Sequence, residues 1–307
     1  MPLVTMKEIL DEASSKGYGV GAFNINNLEF LQAIIEAAEE MKSPVIIAVS
    51  EGAMKYAGIE FLSNMVKIAA ERVSVPIALH VDHGKHWEVI VSAIRNGFTS
   101  VMIDASDKSF EENVEITSKV VDLAHAVGVT VEAEIGRLKG IEDIVKVSEK
   151  EAILTDPVEA KEFVDATGVD ALAVAVGTSH GAYKFKGEPR LDIERIRQIK
   201  ELVKTPLVLH GASGVIPDIV EMAEKYGARL GGAKGVPDDQ IKEAIKAGIS
   251  KINIDTDLRL SFLAGVRKFL QENPDVFDPR KYLGEGKKIV KETVKRKIRL
   301  FGSENRA

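Results

Sequence analysis

IALHVDHG (77–84) is the stretch that decides the fold. It begins as an apolar run too short for a helix and breaks off in Asp82 and His83. A run of this kind reads as a buried parallel strand, and the residues just past the end of such a strand are where α/β folds gather their chemistry. Two other runs end the same way. ALAVAVGTSHG (171–181) and PLVLHGAS (206–213) each deliver a histidine with polar company. Three histidines brought to one rim form a candidate metal site.

Outward from these runs, short apolar segments alternate with amphipathic ones along the chain. Strands are predicted over 19–24, 45–50, 77–82, 100–104, 130–135, 171–177, 207–210 and 251–255. The segments between them carry helical periodicity, as in NLEFLQAIIEAAEEM (27–41), EENVEITSKVVDLAHAV (111–127) and DDQIKEAIKAGI (238–249). Eight βα units predict a TIM (β/α)8 barrel. A doubly wound open sheet lacks support, because no G-x-G-x-x-G follows the first strand. The chain 1–307 is read as a single barrel domain, with 272–307 as a C-terminal helical extension. That extension ends in a basic helix over 285–301, suited to an oligomer contact. Two long loops, RLKGIEDIVKVSEKEAILTDP (137–157) and YGARLGGAKGVP (226–237), are candidate lids.

Composition narrows the chemistry. The 41 basic and 47 acidic residues give a net charge of −6, spread along the chain, so neither a nucleic-acid nor a membrane partner is expected. The N-terminal MPLVTMKEILDEA is charged and amphipathic, and no apolar run is long enough to span a bilayer, which predicts a cytoplasmic protein. There is no cysteine. Any metal must therefore be held by imidazole and carboxylate.

The predicted strands close on Asn24, Ser50, Asp82 with His83, Asp104, Glu134, His180, His210, and Asn253 with Asp255. A barrel interior favours branched apolar side chains, so polar residues at one end of every strand mark an active-site rim. Zinc held by His83, His180 and His210 would keep a fourth position open, the pattern of a catalytic site, and can act as a Lewis acid on a carbonyl. In strict alternation Asp82 and His83 point to opposite faces. A break in pleating would let both face the pocket. Asp82 is then either a general base or a carboxylate that orients an imidazole. His80 is assigned a supporting role, and His86 and His125 none. A second signal is phosphate handling. GTSHGAYK (177–184) and HGASG (210–214) offer small residues whose amides can approach an anion, and NIDTD (253–257) precedes a helix N-terminus. Lys184 could add a point charge.

Taken together, GAFNINN, SEGA, HVDHG, VMIDAS, VEAEIG, GTSHGAYK, LHGASG, KINIDTDLR and DPRKYL, in this order from residue 21 to 283, closely resemble class II fructose-1,6-bisphosphate aldolase. The resemblance implies a zinc barrel that cleaves a ketose bisphosphate into triose phosphates. It implies that His83, His180 and His210 bind zinc, that Asp82 takes the proton of the 4-hydroxyl, and that Asp104 and Glu134, with Glu132 nearby, flank an alternative metal position. By the same resemblance Asn24, Ser50, Gly181, Lys184, Gly211, Ser213, Asn253, Asp255 and Thr256 hold the phosphorylated substrate. A monovalent cation (Na+, K+ or NH4+) is implied beside the phosphate. Arg280 is implied to reach the other phosphate from a neighbouring subunit of a homo-oligomer, dimer or tetramer. In place of the adjacent glutamates some relatives carry in the loop after the fifth strand, this chain has KGIED (139–143). Glu142 is the candidate acid that protonates carbon 3, with Asp143 beside it.

Cleaving the bond between carbons 3 and 4 leaves an enediolate that needs electrophilic help, from a metal or from a Schiff base on a barrel lysine. A Schiff base needs a lysine near the C-terminal end of a strand. Lys251 sits at the start of the last predicted strand, and Lys85, Lys108 and Lys184 fall in loops, so the metal route is favoured. Tagatose 1,6-bisphosphate is the rival substrate, and a catalytically idle barrel the rival of another class.

Overall fold

The structure is a computed structural model that describes residues 3–136, 139–142, 145–147, 153–180, 190–231 and 233–307. The chain opens with α1 (Met6–Lys16), followed by β1 (Val20–Asn24), α2 (Leu28–Met41), β2 (Val45–Ser50), α3 (Glu51–Ala57) and α4 (Ile59–Ala70). Then come β3 (Ile77–Gly84), α5 (Trp87–Arg95), β4 (Ser100–Ile103), α6 (Phe110–His125) and β5 (Thr130–Ile135). The middle of the chain holds β6 (Lys139–Glu142), β7 (Val145–Val147), α7 (Pro157–Thr167), β8 (Ala171–Val174), β9 (Ser179–His180) and α8 (Ile193–Leu202). It ends with β10 (Leu207–Leu209), α9 (Pro217–Lys225), α10 (Asp238–Ala247), β11 (Ile249–Ile254), α11 (Thr256–Glu272) and α12 (Pro279–Phe301).

Local chemistry sets many of these boundaries. Thr5 and Ser109 start α1 and α6 as capping boxes with Glu8 and Glu112, satisfying amides that no helix carbonyl can reach. Asp156 caps α7, whose first residue is Pro157, and Gly168 ends it in the left-handed region.

The parallel strands close into a barrel of order β1-β11-β10-β8-β5-β4-β3-β2, the TIM barrel that the alternation predicts. Three strands differ from their predicted spans by two residues or more at one end. β3 continues to Gly84 because His83 takes φ 49° at a register shift against β4 between Val81 and Gly84, after which the ladder resumes. β8 stops at Val174 because the backbone groups of Ala175 turn to Thr155, its N–H donating to Thr155 Oγ1 and its carbonyl accepting from Thr155 N–H. β11 begins early, pairing Ile249 with Leu207.

The largest apolar cluster lies between the barrel and its helices. A second cluster fills the bottom of the lumen. There Ala22, Ile46, Ala78, Ala171, Ala173 and Val208 meet Met6, Ile9, Leu10 and Ala13 of α1, so the small barrel residues let α1 close that end. Above this plug the lumen turns polar, with His80, Ser100, Glu132 and Lys251 all buried. The loop after β5 carries β6 and β7 as an antiparallel pair, and β6 also pairs in parallel with β9. The glycine-rich stretch 226–237 joins α9 to α10, and its Leu230 and Ala233 pack against Ile219, Ala223, Leu260 and Ala264, making it a brace where a lid was expected. α12 lies along α11 and α2.

Candidate active site

The bulge in β3 builds the centre of the rim. A non-glycine residue at positive φ is strained, and here the strain turns His83 to the same side as Asp82. Asp82 is then gripped from two strands. Asn24 Nδ2 on β1 donates to its Oδ2 at 2.8 Å, and Asn253 Nδ2 on β11 donates to its Oδ1 at 2.9 Å. His83 and His210 face each other with ring centroids 4.5 Å apart. His83 Nδ1 donates to Asp104 Oδ2 at 3.0 Å; His210 donates from Nδ1 to Glu134 Oε2 at 3.1 Å and from Nε2 to Glu132 Oε1 at 2.9 Å.

Two overlapping groups could hold a metal ion, Asp82 with His83 and His210, and His83 with Asp104 and Glu134; within each, candidate donor atoms lie within 4.8 Å of one another. All of these residues are buried. The donor chemistry fits zinc, which takes imidazole and carboxylate. The electrostatics fit as well. Burial pulls the His83 ring down, but its hydrogen bond to Asp104 and the charges of Asp82, Asp104 and Glu134 push it up to about 10. Burial and the neighbouring His83 pull His210 down, yet its bonds to Glu132 and Glu134 push it up to about 9. Asp104 and Glu132 would rise on burial, but His83 holds the first and Lys251 with His210 the second well below the usual carboxylate range. The field at these rings favours added positive charge. Metal on one imidazole nitrogen leaves the other to donate to a carboxylate, which fixes the ring.

Beneath the rim lies a closed relay. Lys251 Nζ sits 2.8 Å from Glu132 Oε2 and 3.4 Å from His80 Nε2, and His80 Nδ1 donates to Ser100 Oγ at 2.8 Å. Burial and Lys251 push His80 down to about 3, so its ring is neutral and can accept from the ammonium. His80 is thus a support, as its sequence position suggests.

The other predicted site residues divide. His180 and Glu142 lie on adjacent strands β9 and β6, where His180 registers with Gly140, and their side chains lie outside the described part. Gly181 and Lys184 lie outside the described residues. Ser50 Oγ accepts from Ala53 N–H as the cap of α3. Gly211 has φ 58°, Ser213 is buried, and Asp255 precedes α11, whose first residue is Thr256. Arg280 is exposed and forks onto Asp278, far more open than the cluster. His86 pairs with Glu51 and His125 with Asp170, both toward solvent.

Sequence reasoning weighed Lys85 and Lys251 only as Schiff-base lysines and gave Glu51, Asp257 and Lys297 no role of their own. Glu51 accepts the N–H groups of Lys85 and His86 at 2.7 and 3.1 Å, and Lys85 Nζ lies 3.1 Å from Asp104 Oδ2. Only the place of Glu51 directly after Ser50 hinted at a role.

Fold and site together define a barrel enzyme whose catalytic end is shaped to hold a cation over buried acids. The chain belongs to the class-II fructose-bisphosphate aldolase family, whose model matches residues 4–306. Members of this class are zinc-dependent lyases. A fructose-bisphosphate aldolase of Thermus caldophilus is 59% identical over 305 residues, covering 99% of this chain and 100% of the relative. One from Giardia intestinalis is 49% identical over 310 residues, covering 100% and 95%. The crystal structure of the YdjI aldolase from Escherichia coli K12 superposes with TM-score 0.82 at 37% identity over 99% of both chains.

Proposed function

We propose that this protein catalyses reversible, zinc-dependent aldol cleavage of fructose 1,6-bisphosphate to dihydroxyacetone phosphate and glyceraldehyde 3-phosphate, in glycolysis and gluconeogenesis. The observation that carries the reading is Asp82, a buried carboxylate held by two amides within reach of the His83 and His210 nitrogens. When bound by His83, His180 and His210, zinc supplies Lewis-acid stabilisation for negative charge developing at the ketose carbonyl. Asp104 and Glu134 flank an alternative metal position. Asp82 takes the proton of the 4-hydroxyl, and Asn24 and Asn253 fix the plane in which its oxygens meet that proton. Glu142 returns a proton at carbon 3.

Binding of the phosphorylated substrate, its phosphate included, falls to Asn24, Ser50, Gly181, Lys184, Gly211, Ser213, Asn253, Asp255 and Thr256. The place of the β10 and β11 loops supports this, since barrels bind phosphate there recurrently. Thr178 Oγ1, buried and without a hydrogen-bond partner among the described residues, supports a monovalent cation (Na+, K+ or NH4+) beside that phosphate. Arg280 reaches the second phosphate from a neighbouring subunit of a homo-oligomer. The chain works as one domain, with 272–307 as its extension. No helix among the described residues is long and apolar enough to cross a membrane, which supports a cytoplasmic site. Lys251 is an unsuitable Schiff-base nucleophile because Glu132 engages it inside the lumen.

The test is a cleavage assay on zinc-loaded protein with fructose and tagatose 1,6-bisphosphates side by side. Fructose bisphosphate should be preferred, strong chelation should abolish cleavage, zinc should restore it, and borohydride with substrate should trap no adduct. Full activity in protein shown by elemental analysis to be metal-free would end this reading.

A further inference from the structure

We infer that Asp257 and Lys297 are positioning residues for phosphate recognition, a buried ion pair that ties the C-terminal helix to the loop presenting Gly211 and Ser213. The inference rests on reading that loop as a phosphate site. Asp257 lies in the first turn of α11, beside Asp255 and Thr256 of the second candidate phosphate segment. Its Oδ2 accepts from Gly214 N–H at 2.9 Å and its Oδ1 from Val215 N–H at 2.7 Å. Lys297, on α12, places Nζ 2.8 Å from the same Oδ2, and the side chains are 2% and 0% exposed.

The loop does not hold this shape by preference. Val215 has φ 48°, the left-handed region, which a β-branched residue enters only when its surroundings impose it. Asp257 supplies the restraint on one side. On the other, Val236 N–H donates to Ser213 O at 3.2 Å, and Gly235 presses so close that a Cβ there would come within 2.2 Å of the Gly214 carbonyl carbon. The turn that follows Ser213 is therefore fixed from two directions before any ligand arrives.

A buried ion pair is a weak means of adding stability, since both charges lose their water. Its position here explains its use better. A loop binds an anion through the direction of its amides and hydroxyls, and pre-setting that direction removes an ordering cost on binding. The carboxylate grips the amides but would by itself repel a phosphate. Lys297 cancels that charge in place.

The test uses the zinc-loaded, full-length protein, with inorganic phosphate affinity by calorimetry, KM and kcat for fructose 1,6-bisphosphate, zinc content and melting temperature as readouts. Asp257→Asn should weaken phosphate binding and raise KM about tenfold, the scale of one charge-assisted hydrogen bond, with zinc content and kcat near those of the parent. Lys297→Met should weaken phosphate binding too, through the uncancelled carboxylate. The charge-balanced Asp257→Asn/Lys297→Met protein should recover melting temperature but not phosphate affinity, and it carries the test if either single variant fails to fold. Lowered melting temperature with phosphate affinity and KM unchanged would make the pair merely structural and overturn the inference. Ser213→Ala separates the two levels: if it weakens phosphate binding and Asp257→Asn does not, the clamp alone is wrong. If neither the parent nor Ser213→Ala shows phosphate binding at this loop, the underlying reading falls and the inference with it.

Discussion

His83 shows what one backbone angle does for the chemistry. In regular pleating Asp82 and His83 would face opposite sides, one in the lumen and one among the helices. The φ of 49° at the bulge overrides that alternation and sets a base candidate and a ligand candidate side by side. Substituting Asp82 separates their roles. Asp82→Asn should retain zinc by elemental analysis yet lose about two to four powers of ten in turnover, the usual worth of general acid–base catalysis. Loss of zinc, with turnover recovered on adding metal, would instead make Asp82 a group that orients the ligands. Most of the rim was legible in the sequence because a strand end is a sharp boundary between apolar and polar residues. The pairings of Lys251 with Glu132 and of Lys297 with Asp257 were not. Each pair meets across the fold with no periodicity linking its members, and a lone lysine in a strand or helix looks like a solvated one.

At the scale of elements, α12 decides how the extension is held. It packs close against α11 at two glycines, where a Cβ on Gly265 would come within 2.8 Å of Glu285 O and one on Gly286 within 2.7 Å of the Phe262 ring. Its other neighbour is α2, reached by Lys287, Lys291 and Lys295 through Glu36 and Glu40. Burial would raise Glu36, but hydrogen bonds from Lys287 and Lys291 outweigh it and hold the carboxyl below its ordinary 4.5; those from Lys291 and Lys295 do the same for Glu40. A carboxylate depressed in the folded state contributes stability above its unfolded value and loses it as pH falls through the folded one. Melting temperature should therefore drop below about pH 4.5, and the drop should shrink in Glu36→Gln/Glu40→Gln. Parallel curves for the two proteins would remove these pairs from acid stability. The order of barrel strands and long helices was readable from periodicity. The small β6, β7, β9 sheet and α9 were not, since each is too short for a period to show.

At the scale of the whole molecule, the cluster lies at one end of the barrel while Arg280 stands exposed at the start of α12. A guanidinium matches phosphate oxygens bidentately, and a partner subunit is the recipient that the proposed function requires. Arg280→Ala should raise KM for the bisphosphate and leave zinc content and assembly intact. Mixing Arg280→Ala with His180→Ala subunits should give hybrids more active at low bisphosphate concentration than either parent. A hybrid no better than its parents, with subunit exchange verified, would confine Arg280 to its own chain.

The pairing of β1 with β11, Val20 with Lys251 through Phe23 with Ile254, joins the earliest barrel strand to the latest. The finished ring offers no unpaired ladder to a foreign strand. A ring opened at that seam becomes a sheet with two bare borders, and those borders, along β1 and β11, are buried in the intact protein. Such borders are templates for pairing with another chain, in competition with reclosure. Heat should thus inactivate this protein irreversibly, at the rate at which the seam parts, so that its endurance is a lifetime set by kinetics and not an equilibrium constant.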